Sequence, residues 1–179
     1  MEPKNFNYIR AVILQRPPDA RLDGKKMSMC DLLIRNATVA DIQPMMALLK
    51  ELFAIETDFQ FDGSRQHRGL QMMLDGCGKH RCVRVAEIQD CVVGMCSAQT
   101  LISTAEGSLA AVVEDLVVGR QFRGRGIGTR LIQSVEAWAS GRGIQRLQLL
   151  ADQTNQPGLH FYTQQQWQRT RLICLRKRV

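Results

Sequence analysis

No apolar run in this 179-residue chain approaches the roughly 20 residues that a helix needs to cross a bilayer, so a membrane-spanning protein is not expected. Met1 to Gly24 carries Lys4, Arg10, Arg16 and Arg21 through its short apolar patch Ile9 to Leu14, which does not read as a secretory leader. A soluble cytoplasmic protein is the default expectation. Aromatic residues are scarce, at 6%, and form no ladder on which bases would stack, so no nucleic-acid partner is expected. Internal repeats and low-complexity tracts are absent.

What is present is a basic chain with a core-sized apolar content: a formal net charge of +7 and 45% hydrophobic residues fit one compact domain. The basic residues are divided between an N-terminal segment, a central glycine-rich run and the tail Arg176-Lys177-Arg178. A small ligand rich in phosphate accounts for the central group as well as a polyanion does. Of six cysteines, Cys77, Cys82, Cys91 and Cys96 form C-x4-C twice with His80 nearby. Structural zinc pairs are usually spaced by two to four residues at tight knuckles, and Cys91 and Cys96 fall on opposite faces of a strand, so buried reduced thiols are expected and no metal.

Residues 1–29 have no sustained period and contain Pro17-Pro18-Asp19 and Asp23-Gly24-Lys25-Lys26, which marks a flexible extension ahead of a single domain at 30–179. Leu32 to Arg35 reads as a strand, with Thr38 or Asp41 capping a helix that buries Met45, Leu48, Leu49, Leu52 and Phe53. Ser64 to Leu74 is a second helix stopped by Gly76 and Gly78. Arg81 to Ile88 and Val92 to Leu101 form a hairpin through Gln89-Asp90, and Leu109 to Val118 is a third long strand. A helix carrying Ile127, Leu131, Ile132, Val135 and Trp138 follows, then a strand at Arg146 to Leu150, a helix at Asn155 to Gln165, and one or two closing strands at Trp167 to Arg176. The order β-α-α-β-β-β-α-β-α-β predicts a mixed α/β sheet.

The strand ending at Val118 leads into Gln121-Phe122-Arg123-Gly124-Arg125-Gly126-Ile127-Gly128-Thr129-Arg130. Glycines at 124, 126 and 128 let backbone amides approach an anion, the new helix presents its unpaired N–H groups, and Arg123, Arg125 and Arg130 add charge. A Walker-type loop needs a Lys-Ser or Lys-Thr pair after the last glycine, and a dinucleotide fingerprint needs G-x-G-x-x-G early in a βαβ unit; neither is met.

The remaining pattern R-x-x-G-x-G, Arg123 to Gly128, resembles the acetyl-CoA site of the GNAT superfamily of N-acetyltransferases. Asn155-Gln156-Pro157-Gly158-Leu159-His160-Phe161-Tyr162 is similar to that family's second block, and Leu33 to Thr38 with Asp41 to its first strand and helix start. The likeness covers about residues 31 to 175. It departs at Gln166, where family members commonly have glycine before an aromatic residue, here Trp167.

The resemblance implies a three-layer α+β fold with a mixed, mostly antiparallel sheet of six or seven strands and about four helices. It implies acetyl-CoA as co-substrate, its pyrophosphate on the amides of Arg125 to Arg130 and its pantetheine beside Leu116, Val117 and Val118, where a splayed sheet leaves free backbone groups. Asn155 is then a pantetheine ligand or merely the cap of its helix. Direct transfer to an amine calls for a base, Glu114 with Asp115 as the fallback, and an acid for the leaving thiolate, Tyr162. Glu56, Asp58 and Asp62, interleaved with Phe53, Phe59 and Phe61, suit a cationic amine. A small amine is favoured over a protein lysine or N-terminus; a non-catalytic acyl-CoA-binding module is the other reading. Fold analogy adds a homodimer through the closing strand at 167–176.

Overall fold

A computed structural model of the chain describes residues 11–12, 31–55 and 59–177. The expected extension at 1–29 therefore lies outside the described residues, apart from positions 11 and 12. The elements in chain order are β1 (Ala11–Val12), β2 (Leu32–Asn36), α1 (Ile42–Phe53), α2 (Gly63–Asp75), β3 (Arg81–Ile88), β4 (Cys91–Ser103), β5 (Ser108–Val118), α3 (Ile127–Ser140), β6 (Leu147–Gln148) and α4 (Gln156–Gln164). The sheet runs β1-β5-β4-β3-β2, with β6 also on β5.

β2 to β5 pair antiparallel, and β1 and β6 pair parallel with β5, so the sheet is mixed. Gln89 and Asp90 take φ of 49° and 61°, the pair of left-handed residues that lets a two-residue turn follow the twist of β3 and β4. Two apolar layers cover the sheet. α1 and α2 close one face through Met45, Leu48, Leu52 and Leu70 against Val83, Val85 and Met95. α3 closes the other through Ile127, Leu131, Ile132 and Val135 against Cys96, Ala98 and Val113, joined by Phe161 and Tyr162 of α4. Gly94 permits the close seating of α3: a Cβ there would stand 3.1 Å from the Val117 carbonyl and 3.2 Å from Leu131.

The start of α1 is fixed by charge. Asp41 accepts from the Thr38 amide at 2.7 Å and the Thr38 hydroxyl at 2.9 Å, and Arg35 of β2 donates to both of its oxygens at 2.8 Å. Arg35 also reaches Glu87 of β3. These contacts hold the Asp41 carboxyl at about 2 against an ordinary 3.8, the Arg35 guanidinium being the largest cause.

Two expectations need correction. The sheet is not six or seven full strands: four are long, while β1 and β6 contribute two residues each. The strand expected at 146–150 shrinks to Leu147–Gln148, and residues 167–177 form no strand. An apolar run becomes a strand only where an edge receives it, and the short β6 offers almost none. Leu172, Ile173 and Leu175 remain 87%, 75% and 86% exposed. The strand on which a homodimer was expected is therefore missing.

The expectation of buried thiols holds for Cys82 and Cys96 but not for Cys91 and Cys174, which are exposed: Cys91 opens β4 at the hairpin turn, and Cys174 lies in the tail that joins no sheet edge. Burial pushes the Cys82 thiol up to about 11 and raises that of Cys96 as well. Among the described residues, no helix is long and apolar enough to cross a membrane.

Candidate active site

β5 carries a bulge at its C-terminal half. Met95 pairs with Val117 and Ser97 with Glu114, so Cys96 alone faces the two residues Asp115 and Leu116. Asp115 takes φ of 39°, which shifts the alternation: Val113, Leu116 and Val118 all join the α3 layer, and Val117 the α1 layer. The bulge brings both candidate bases beside Ser97, at different depths. Asp115 is buried and accepts from the Ser97 hydroxyl at 3.2 Å, whereas Glu114 is only half-buried. Glu114 stands opposite Ser97, which shares a face with Met95 of the α1 layer, so its carboxylate belongs to the side that carries α1 and α2.

Since β4 takes one edge of β5 along its length, β1 and β6 share the other. β6 holds Ala111 and Val112; Ala11 and Val12 hold Leu116 and Val117. The edge that the sequence predicts to be free at Leu116 to Val118 is thus paired to the chain itself. Leu116, Val117 and Val118 are all buried.

Beyond Val118 the chain turns through Gly119 and a short 3-10 turn at Arg120–Phe122 into the glycine run. Gly124 and Gly126 have φ of 70° and 75°, the left-handed region that glycine enters at no steric cost. A Cβ on Gly126 would meet nothing within 4 Å, so the space beside this residue is open. Gly126 caps α3, and the first bond of the helix runs from the Arg130 amide to the Gly126 carbonyl at 3.1 Å. The amides of Ile127, Gly128 and Thr129 precede it and have no carbonyl four residues back within the helix. No acidic residue stands in that first turn to oppose an anion. Such a turn can accept an anion.

The three arginines of the run do not act alike. Arg130 is exposed and Arg125 half-buried, beside the open turn. Arg123 is 4% exposed; its Nε donates to the Val118 carbonyl at 2.8 Å, and its Nη2 lies 3.5 Å from Glu51 of α1. Burial lowers its pKa, and Glu51 opposes that effect. Glu51 also accepts from the Arg120 amide at 3.0 Å. Arg123 thus ties the glycine turn to the end of β5 and to α1, a different set of partners from the phosphate expected of it. A cleft of about 710 Å³ opens beside this junction, lined by Leu48, Glu51, Val93 and Arg120 to Phe122; neither Glu114 nor Tyr162 lines it.

α4 supplies the remaining candidates. The Asn155 side chain accepts from the Gly158 amide at 3.0 Å, so it caps the helix. Tyr162 is buried, with Phe161 edge-on at 5.3 Å and Trp167 tilted at 5.9 Å between ring centroids. Gln166 adopts φ of 65°, the left-handed conformation in which a glycine is commonly found, and the helix end closes normally around it. Of the expected acceptor pocket, Glu56 and Asp58 lie outside the described residues. Phe53 and Phe59 stack at 5.5 Å, Arg176 lies over Phe59 at 4.9 Å, and Asp62 caps α2 through the amides of Ser64 and Arg65.

The sequence reading missed Glu51, Ser97 and the β1 pairing. Glu51 and Arg123 are 72 positions apart, and nothing local marks either as the other's partner. The bulge at Asp115 had no glycine to announce it.

The sequence profile of the Acetyltransferase (GNAT) family matches residues 46–166. N-alpha-acetyltransferase 80 of Mus musculus is 47% identical over 51 residues, which cover 28% of this chain and 15% of that protein; the matched stretch is a small part of the relative's length. Among solved structures, a transcriptional regulator from Bacillus halodurans C-125 superposes with a TM-score of 0.71 at 24% identity, over 83% of this chain and 99% of the other. An aminoglycoside acetyltransferase from an uncultured soil metagenomic sample gives 0.69 at 20%, over 84% and 98%. Glucosamine-6-phosphate N-acetyltransferase from Arabidopsis thaliana gives 0.66 at 16%, over 82% and 97%. The structural likenesses establish the fold, and the profile covers the bulged strand, the glycine turn and α4 together: the chain belongs to the GNAT acetyltransferase family.

Proposed function

We propose that this chain is an N-acetyltransferase that moves an acetyl group from acetyl-CoA directly to a primary amine, with a small cationic amine as acceptor. The observation that carries the reading is the left-handed turn at Gly124 and Gly126, which leads from β5 into the amides that open α3. In this reading the pyrophosphate sits on the amides of Arg125 to Arg130, with the Arg125 and Arg130 side chains beside it. Arg123 holds the turn in place. The pantetheine runs along the outer edge of β5 from Leu116 to Val118, and Ala11–Val12 gives way to it. Asn155 contributes by fixing α4.

The amine nitrogen attacks the thioester carbonyl carbon; a C–N bond forms as the C–S bond breaks. An amide N–H at Leu116 or Val118 stabilises the developing oxyanion, a role typically worth about 3–4 kcal/mol. Glu114, on the α1 and α2 side, takes the amine proton directly or through a water, with Asp115 as the alternative. Tyr162 gives its proton to the leaving thiolate. No metal takes part.

A second reading has support of its own: the mouse relative is named for N-alpha-acetyl transfer, which makes a polypeptide N-terminus a competing acceptor. Thermal shift tests the shared part. Acetyl-CoA and CoA should raise the melting temperature and ATP should not; no response to either CoA species removes both readings.

A further inference from the structure

We propose that the Phe59 ring is the seat for the positive charge of the acceptor and that the chain's own Arg176 occupies it in the free protein, an inference that rests on the reading of the acceptor as a cationic amine. The Arg176 guanidinium lies over the Phe59 ring at 4.9 Å from its centroid. That is within the roughly 6 Å over which a ring face attracts a cation. Phe53, buried at the end of α1, stacks on Phe59 at 5.5 Å with 26° between the rings, and so fixes its tilt. Both rings pack on the α1 and α2 layer, the side of the sheet to which Glu114 belongs.

The occupant arrives from the other layer. Trp167 packs on the α3 side beside Tyr162, and nine residues later Arg176 reaches the α1 and α2 side, a path of at most about 30 Å. The tail therefore runs from the proposed acid to the aromatic seat. Apolar burial does not fasten it there, because Leu172, Ile173 and Leu175 leave their side chains in solvent. A guanidinium on a half-buried ring is a weak bond, but a short tether gives it an effective concentration in the millimolar range. A free amine of equal affinity has to reach that level to match it. Arg176 is thus a displaceable internal competitor, and Lys177 and Arg178 add two more cations beside it.

Two readouts test this: the KM for spermidine from thiol release, and the Arg176 Nε–H resonance, which the ring current of Phe59 shifts upfield. Arg176→Gln, alone and together with Lys177→Gln and Arg178→Gln, should lower the KM about two- to fivefold and leave kcat and the acetyl-CoA Kd unchanged. Phe59→Leu should raise the KM and cancel the effect of Arg176→Gln; if it folds poorly, the resonance carries the test. In the wild type, spermidine should return the Arg176 resonance to its random-coil position, and acetyl-CoA alone should not. An unchanged KM in the triple variant, or an Arg176 resonance that saturating spermidine leaves in place, overturns the inference alone. Displacement of Arg176 by spermidine with no thiol release for any amine supports the seat and overturns the transferase reading instead.

Discussion

The backbone carbonyl of Tyr162 accepts the amide of Trp167 at 3.0 Å, across a turn in which Gln166 stands at φ +65°. The turn keeps the shape that a glycine would give it, at a steric cost of roughly 1 kcal/mol for a side chain in that region. Gln166→Gly should therefore stabilise the fold by about 0.5–1 kcal/mol in urea unfolding, with turnover equal to wild type or better.

Gly126 is different, because its open side is the proposed anion seat. Gly126→Ala meets no protein atom within 4 Å, so its effects come from the backbone strain at φ +75° and from a methyl group placed on the seat. Acetyl-CoA affinity should fall at least about tenfold by calorimetry, while the melting temperature falls only a few degrees.

Ala11–Val12 and a ligand cannot both hold the edge of β5 at Leu116 and Val117. Val12→Pro restricts the residue before it and so disturbs that pairing. Released from its own chain, the edge should bind acetyl-CoA on the order of threefold more tightly or better, with hydrogen exchange at Leu116 and Val117 faster in the free protein. Unchanged affinity and exchange would show that the pairing is not a competitor.

The Arg35–Asp41 pair makes acid stability predictable. The folded carboxyl titrates at about 2 against an ordinary 3.8. Its contribution is therefore complete above about pH 4 and is lost as the pH falls from there toward 2; the difference amounts to roughly 2 kcal/mol. Asp41→Asn should remove a similar amount at pH 7 and flatten the dependence of urea stability on pH between 4 and 2.

The parts of this site that could be read from the sequence are those in which chemistry and conformation coincide within a few residues. Gly124 and Gly126 announce a left-handed turn because little else fits there, and the apolar positions from Ile127 to Trp138 place a helix immediately after it. The second block was readable for the same reason, with Asn155 before Pro157 marking a cap. What escaped depends on distant partners. Arg123 looks like a free cation until Glu51 and the Val118 carbonyl are found around it. Asp115 looks like an ordinary strand residue until Cys96 is left facing two residues instead of one. The tail from Leu172 to Leu175 is apolar enough for a strand, yet it stays exposed beside a β6 of only two residues.

The most direct test of the account is release of CoA thiol from acetyl-CoA with a panel of polyamines, amino sugars, lysine and peptides with free N-termini, wild type beside Tyr162→Phe. The wild type should release thiol in an acceptor-dependent way, with kcat at least about tenfold lower in Tyr162→Phe and the acetyl-CoA Kd within about twofold. Tight acetyl-CoA binding with no thiol release for any amine, or full turnover without the Tyr162 hydroxyl, would contradict it.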